Sequence, residues 1–399
     1  MKIFDSGADA MRTILVVPNH AVYSGTYDGE VVMAVNANEM SVVAGLSRRY
    51  QRVVLATYSY GSPDGAPDMP RLVCGERVQC RPLGVWRQSW RGVQKMVAHL
   101  RSVGSLLAIS RSVDDVYIYT PNTFGTLFGL ILAVAGRPFA LYVRGGLESQ
   151  GAVWVVAYRL LVRKAKFCLC TGEWLRRRVE AWGGKAGLVS PMMPYREIDA
   201  PREVRDVGKT IRLLFVGAMI ASKGIFDLLL IAKELKGRGL SFQLTVIGEG
   251  PEPETHKFRQ MMRQLAIEDV VSYRGYIADK AVLRQVFIDH DVFVLPSLYN
   301  EGFPRVFFEA MLFGECVVTY RRDQYRGILL DGVNCVTVEG SDPQALCDAV
   351  LNLARDTVQL NDMRVRAQRT VVEYLRPFAD KTHADQVAER FANPSIMWC

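Results

Sequence analysis

Glu301 and Glu309 stand eight positions apart in SLYNEGFPRVFFEAMLFGE, on either side of a Gly-Phe-Pro turn. Ionised carboxylates only accept hydrogen bonds, so a pair of them at one locus suits a ligand rich in hydroxyls. Pro304 fits the first turn of a helix, where its missing N–H would be unpaired in any case. The apolar run DVFVLPS just before it reads as a buried parallel strand. Strand, tight turn and helix start together present backbone N–H groups and a positive dipole end to an anion. Glu301 then belongs to the loop at the strand's carboxyl end, and Glu309 lies about one turn into the helix. Acidic acceptors beside a phosphate cradle fit a ligand carrying both phosphate and hydroxyls, and a nucleotide sugar is such a ligand.

Other residues join this chemistry. Lys223 falls at a helix start just beyond the strand Ile211–Val216, where open α/β sheets place ligands. A lysine there neutralises a diphosphate as a point charge; a solvated helix-start lysine is the ordinary alternative. Gly217, Gly248 and Gly250 fall at strand ends, either for close approach to phosphate or ribose or for tight turns alone. Arg305 stands four residues before Glu309, so it either meets phosphate or pairs with that carboxylate on the helix surface. In the first half, Arg144 follows a strand in YVRGG; it stays protonated, which suits charge stabilisation and not general-base work. His20, in the loop after the first strand, is the first-half alternative for a base, although a lone loop histidine is more often incidental. Asp289-His290-Asp291 has the D-x-D form of a metal site but precedes the strand VFVLP, at its wrong end for ligands, and reads as a helix-to-strand turn. His256, His290 and His383 lack ligand spacing.

Alternating strands and helices must position these groups. Thr13–Val17 reads as a first strand, residues 18–29 as a loop, and residues 30–50 as a helix on the recurrence of Val32, Val35, Met40, Val43 and Leu46. RVVLATY, DDVYIYT, FALYVRG and KFCLCTG are further strands, residues 62–70 a Pro/Gly/Asp-rich loop, and residues 86–109 a basic amphipathic helix. This predicts one parallel-sheet lobe over residues 1–198. A Pro/Asp-rich linker near residues 191–208 leads to a second alternation, over 209–376, and a last helix follows a Pro break in 377–399.

The pattern E-G-F-P-x-V-x-x-E-A-M resembles the E-x7-E signature of retaining GT-B glycosyltransferases of family 4. LLFVGAMIASKGIFDLL, LTVIGEGPE, YRGYI, DVFVLPS and LLDGVNC follow in that family's order, densely between Ile211 and Asp356 and thinly before. The resemblance implies two Rossmann-like domains facing a cleft, with the terminal helix crossing back to the first. It implies that Glu309 accepts from ribose hydroxyls, that Glu301 accepts from the transferred sugar, and that Gly302, Phe303, Arg305 and Val306 line the donor. Tyr276 and Ile277 match the segment that holds the base; Tyr276 is equally a core candidate. Gly25 and Gly29 take the place of the family's glycine loop. The chain departs from the pattern at Ala218, where an arginine is usual, and at Arg144, where a histidine is usual.

At 399 residues and 49% hydrophobic content, two ordered lobes are the natural prior. Residues 1–205 hold 26 Lys+Arg against 16 Asp+Glu, whereas residues 206–399 hold 23 against 25. The basic half suits an anionic membrane surface, a phosphorylated acceptor or ordinary solvated charge. No nucleic-acid recognition module is visible in its Trp/Arg-rich stretches. The eight cysteines show no CxxC, so reduced buried thiols are expected, with Cys168 and Cys170 on one strand face. The longest apolar stretch, residues 124–135, is about 12 long against the ~20 of a spanning helix. No leader is visible, residues 1–10 leave Met1 or Met11 as the start, and a cytosolic or inner-face membrane location is expected. The expected activity is retaining transfer of a hexosyl unit from a UDP- or GDP-sugar to a glycan or lipid-linked acceptor, without metal or cofactor. A GT-B module that binds nucleotide sugar or a partner without catalysis is the alternative, and an epimerase or hydrolase on the same fold is a related one.

Overall fold

The computed structural model describes residues 12–18, 22–27, 30–35, 37–62, 71–85, 87, 93–145, 152–192, 203–298 and 302–393. The chain divides into two compact units, residues 1–192 with 380–399 and residues 193–379.

In the first unit the order is β1 (Thr13–Val17), β2 (Tyr23–Tyr27), β3 (Glu30–Ala34), α1 (Ala37–Arg49), β4 (Arg52–Ser59), β5 (Arg71–Val73), β6 (Val78–Val85) and α2 (Val93–Arg111). There follow β7 (Asp115–Thr120), α3 (Thr123–Val134), β8 (Ala140–Val143), α4 (Ala152–Lys164), β9 (Cys168–Cys170), α5 (Glu173–Ala181) and β10 (Ala186–Leu188). A parallel sheet runs β10-β9-β8-β7-β1-β4-β6, beside a small antiparallel sheet β2-β3-β5. All six residues of β7 are buried, as befits a central strand covered on both faces. One face packs on α2, α3, α4 and α5 through Leu106, Phe128, Leu161 and Val179. The other packs on α1, through Val43 and Leu46, and on the last helix.

The second unit runs β11 (Ile211–Val216), α6 (Ile225–Gly237), β12 (Phe242–Ile247), α7 (Glu252–Gln264), β13 (Val271–Tyr273), α8 (Lys280–Asp289) and β14 (Val292–Leu295). It continues with α9 (Arg305–Leu312), β15 (Cys316–Tyr320), β16 (Cys335–Val338), α10 (Pro343–Arg355) and α11 (Thr357–Leu375). Its parallel sheet has the order β13-β12-β11-β14-β15-β16, so the strand order reverses between β11 and β14. Ligands of open α/β sheets bind at the carboxyl ends beside such a reversal. Asp279, Asp342 and Asp356 cap α8, α10 and α11 by accepting from first-turn amides. The last helix, α12 (His383–Ala392), opens with a Thr382/Asp385 capping box and packs on α1 of the first unit. No helix among the described residues is long and apolar enough to cross a membrane.

Two local expectations are corrected. The helix expected over residues 30–50 starts only at Ala37, because Glu30–Ala34 pairs antiparallel with Tyr23–Tyr27, inside the stretch read as loop. β-branched Val32 falls at helical spacing from Val35 by coincidence, and strand pairing overrides so weak a signal. The helix expected over residues 86–109 is found over Val93–Arg111, and residues 86 and 88–92 lie outside the described residues. Cys74 and Cys80 form a disulfide, their Cα atoms 5.6 Å apart, because the turn between β5 and β6 returns the chain on itself. Cys168, Cys170, Cys316, Cys335 and Cys347 are free and buried, the first two on one face of β9.

Candidate functional site

The carboxyl edge of the second sheet is built from three interlocked loops. The loop after β11 is tied to the loop after β12, with Gly217 donating to Ile247 O at 3.0 Å and Met219 to Glu249 O at 2.9 Å. The loop after β14 ties to it from the other side, Leu298 donating to Ser222 O at 2.9 Å. Lys223 ends a short 3-10 turn, Ala221–Lys223, inside this clamp, and the Glu254 carboxylate of α7 accepts from the Ala221 amide. Two glycines make the clamp possible. Gly224 has φ +75°, and a Cβ there would overlap the Pro296 carbonyl; Gly248 has φ +144°, and a Cβ there would overlap the Gly217 carbonyl. Gly248 also donates to Gly275 O at 2.9 Å and accepts from the Tyr273 hydroxyl at 3.0 Å. Gly217, Lys223, Gly248 and Gly250 are thus brought together.

α9 begins beside this clamp in the chain, with Pro304 as its N-cap and no side-chain hydrogen bond capping its first turn. First-turn amides of this kind are anion acceptors' natural partners. Glu309 is 7% exposed, and its carboxylate lies 3.9 Å from Arg305 Nε. Burial pushes this carboxyl up to about 7, against the pull of the Arg305 guanidinium. Arg305 itself is exposed. Phe303 is packed edge-on against Phe307 and Tyr325, and Gly302 is buried; both therefore support the turn, with the Phe303 ring inside the core. Val306 and Ile277 are partly buried against the same core, and Tyr276 is 57% exposed, which sets aside its core reading. Glu301, like His20, Gly29 and Gly146, lies outside the described residues.

In the first unit Arg144 directly follows β8 and is exposed, its backbone N–H donating to Thr120 O at 3.0 Å. Its guanidinium lies 5.7 Å from the Tyr142 ring centroid, and Tyr142 in turn meets the ring of buried His383 edge-on at 4.6 Å. Gly25 sits within β2 opposite Val32, in a paired strand and not in an open glycine loop. The expectation for it fails because its neighbours Tyr23 to Tyr27 find a hairpin partner.

The Asp289-His290-Asp291 triplet is a helix-to-strand turn. His290 uses both ring nitrogens, toward Val286 O and the Thr245 hydroxyl. Fully buried Asp291 accepts from the Arg212 amide at 2.9 Å and pairs with Arg205 at 2.8 Å and Arg364 at 3.5 Å. Sequence reasoning missed Gly224, and it missed Arg322, which follows β15. The Arg322 guanidinium donates to Ser297 O at 3.2 Å, and the Ser297 hydroxyl lies 3.5 Å from Ser222 O. A cation is thereby held next to the turn that carries Lys223. Its signal was its place two residues beyond a strand's carboxyl end.

Comparison with known proteins was made against this geometry. Residues 210–356 match the family described as glycosyl transferases group 1, and residues 36–192 match the glycosyl transferase 4-like domain. The chain is 24% identical over 230 residues to a putative colanic acid biosynthesis glycosyltransferase, WcaL, of Salmonella typhimurium, a match covering 54% of each chain. It is 23% identical to CapJ of Staphylococcus aureus over 59% of this chain and 62% of that one. The chain thus spans little more than half the length of these curated relatives. Among solved structures, HepE of Anabaena in complex with UDP superposes with a TM-score of 0.65 at 15% identity, covering 95% of this chain and 99% of that one. Sucrose-phosphate synthase of Thermosynechococcus elongatus gives 0.69 at 15% identity, covering 96% of this chain and all 100% of that one.

Proposed function

The chain belongs to the family 4 glycosyltransferases of the GT-B fold, and from that membership we propose that it moves a hexosyl unit from a UDP- or GDP-sugar, with retention, to a glycan or lipid-linked acceptor. The observation that carries the reading is the clamped turn holding Lys223 at the sheet's carboxyl edge, with the α9 start and buried Glu309 following from the same edge. Lys223, Arg305 and the first-turn amides of α9 hold the donor diphosphate, and Arg322 supplies the cation that Ala218 lacks. Glu309 accepts from the ribose, Glu301 from hydroxyls of the transferred sugar, and Tyr276 and Ile277 flank the base.

In the reaction the bond from the anomeric carbon to the diphosphate oxygen breaks, and its electron pair leaves with the diphosphate. The acceptor hydroxyl oxygen bonds to that carbon on the departing face, and its proton passes to the donor phosphate. Arg144 stabilises developing charge and takes no proton. The cations carry the leaving charge without a metal. The WcaL and CapJ relatives support an acceptor in surface polysaccharide synthesis, and the HepE complex with UDP-glucose supports a uridine donor. Peripheral contact of the basic first unit with an anionic membrane belongs to the same reading.

The test is a thermal-shift screen of UDP, GDP, ADP and their sugars, with and without chelator, followed by anomeric NMR of any product. Stabilisation by one nucleotide that survives chelator and an α-product from an α-donor are expected. No stabilisation by any nucleotide in a folded chain would overturn the reading.

A further inference from the structure

In the helical layer on one face of the first sheet, α2, α3 and α4 are exceptional in their charge, whereas α5 carries Glu173 and Glu180 paired with its own Arg176 and Arg177. Neither α2, α3 nor α4 contains a single Asp or Glu, while α2 carries Lys95, Arg101 and Arg111, and α4 carries Arg159, Arg163 and Lys164. Solvent-facing helices ordinarily mix both signs. On the opposite face of the sheet, α1 carries Glu39, and α12 carries Asp385 and Glu389.

The same layer exposes rows of large apolar side chains. On α2, Val93, Met96, Val97 and Leu100 recur at helical spacing and are all exposed, Val93 at 77% and Leu100 at 61%. On α4, Val153, Val156 and Leu160 repeat the pattern, with Val153 at 81%, and Val134 ends α3 at 92%. Single exposed apolar residues are ordinary; rows of them on two helices of one layer mark an interaction surface. In α2 the usual polarity is reversed. Its buried side includes His99, Ser102 and Ser110 beside Leu106, with the Tyr58 hydroxyl 3.0 Å from His99 Nδ1, and its apolar row faces out. The inward side is already satisfied, so the row is not a misplaced core.

The geometry points to this layer as the surface that rests on an anionic lipid bilayer. The α2 and α4 rows enter the boundary between headgroups and acyl chains, and the flanking lysines and arginines meet lipid phosphates. Absence of acid across three successive helices is what selects an anionic lipid surface over a second copy of this chain, whose like charges would repel. This deepens the reading of a lipid-linked acceptor, and it does not require the transfer reaction.

The experiment is sedimentation of the full chain with vesicles of phosphatidylcholine, with and without phosphatidylglycerol, at low and high salt. The variants are Val97→Glu with Leu100→Glu and, separately, Val156→Glu with Leu160→Glu; all four positions are exposed, so the fold is retained and is checked by circular dichroism. The expected result is salt-sensitive partition onto the anionic vesicles alone, weakened at least about tenfold in each double variant, with the nucleotide thermal shift unchanged. A parent chain that stays in the supernatant would overturn the proposal, as would variants that partition like the parent. So would a parent dimer, seen by light scattering, that both variants dissociate, or equal retention on RNA. Nucleotide stabilisation without vesicle binding would remove this inference and leave the donor site standing; vesicle binding without nucleotide stabilisation would do the reverse.

Discussion

Glu309 meets water through only a sliver of its side chain, and its carboxyl is pushed from near 4.5 up to about 7 by burial. Between those values the folded chain keeps a proton that the unfolded chain has released. The group's contribution to stability is therefore fully present below about pH 4.5 and is lost as pH rises through 7. Glu309→Gln should remove that part of the pH dependence, read as the difference between denaturation midpoints of variant and parent across pH 4 to 8. Ribose hydroxyls donating to this group favour its ionised form, so nucleotide affinity should climb as pH rises through about 7 in the parent and stay level in the variant. A level profile in the parent would separate Glu309 from the ribose. Glu309→Ala should weaken the nucleotide roughly 10–100-fold, the worth of charged hydrogen bonds lost from a buried site. Arg322→Gln distinguishes phosphate from base: about tenfold weaker binding of the nucleoside diphosphate is expected, and no change for the nucleoside alone. The residue types at Glu309 and Lys223 were legible because strand–turn–helix chemistry is local. The state of charge of Glu309 was not, because it depends on burial that distant chain supplies, as where Tyr374 of α11 stacks on Phe308 of α9.

Elements carry a different part of the argument. The loops after β11, β12 and β14 are fastened to each other by backbone hydrogen bonds, and Gly248 is where two of them touch. Gly248→Ala combines a left-handed backbone with a Cβ set against a carbonyl, and should cost at least about 2 kcal/mol of second-unit stability in urea unfolding, with nucleotide stabilisation lost in parallel. An unchanged midpoint would show that the loops part easily. Asp291 makes a comparable joint at the amino edge, where Arg205 and Arg364 converge on it. Asp291→Ala leaves two cations without their buried partner, and a loss of about 3–5 kcal/mol is expected by the same measurement. The turn character of Asp289-His290-Asp291 was readable from the buried strand that follows it. The hairpin of β2 and β3 was not readable by periodicity, although Asp28-Gly29 between two apolar-aromatic runs was a hairpin signal in plain view.

At the scale of the whole chain, the C-terminal segment completes a unit whose other residues were made more than 180 positions earlier. Phe391 meets Phe167 edge-on at 4.9 Å under the Lys166 ammonium, and His383 meets the Tyr117 hydroxyl at 3.0 Å. Phe391→Ala should therefore cost about 3–5 kcal/mol in the first unit alone. All six tryptophans (86, 90, 154, 174, 182 and 398) fall in that unit, so tryptophan fluorescence follows its unfolding, while far-ultraviolet circular dichroism follows both units. A shift of the fluorescence transition with a second, unmoved dichroism transition is expected; two transitions moving together would refute independent units. His383 adds an acid limb. Burial lowers its imidazole from 6.5 to about 3, so the unfolded chain takes up the proton first and first-unit stability is lost as pH falls below about 6.5.

By itself the sequence determined the alternation of strands and helices, the two lobes, the placement of Lys223 just beyond a strand end and of Glu309 one turn into the following helix, and the likeness to one enzyme family. Those features rest on period, turn chemistry and spacing, which act over a few residues. Tertiary structure alone decided that Arg322 reaches the Lys223 turn and that Cys74 finds Cys80. It also decided which side of α2 and α4 faces outward, and hence that the apolar rows of these two acid-free helices lie exposed among the described residues. Each of these depends on what else packs against a group, and burial is settled by the whole fold and not by the neighbours in sequence.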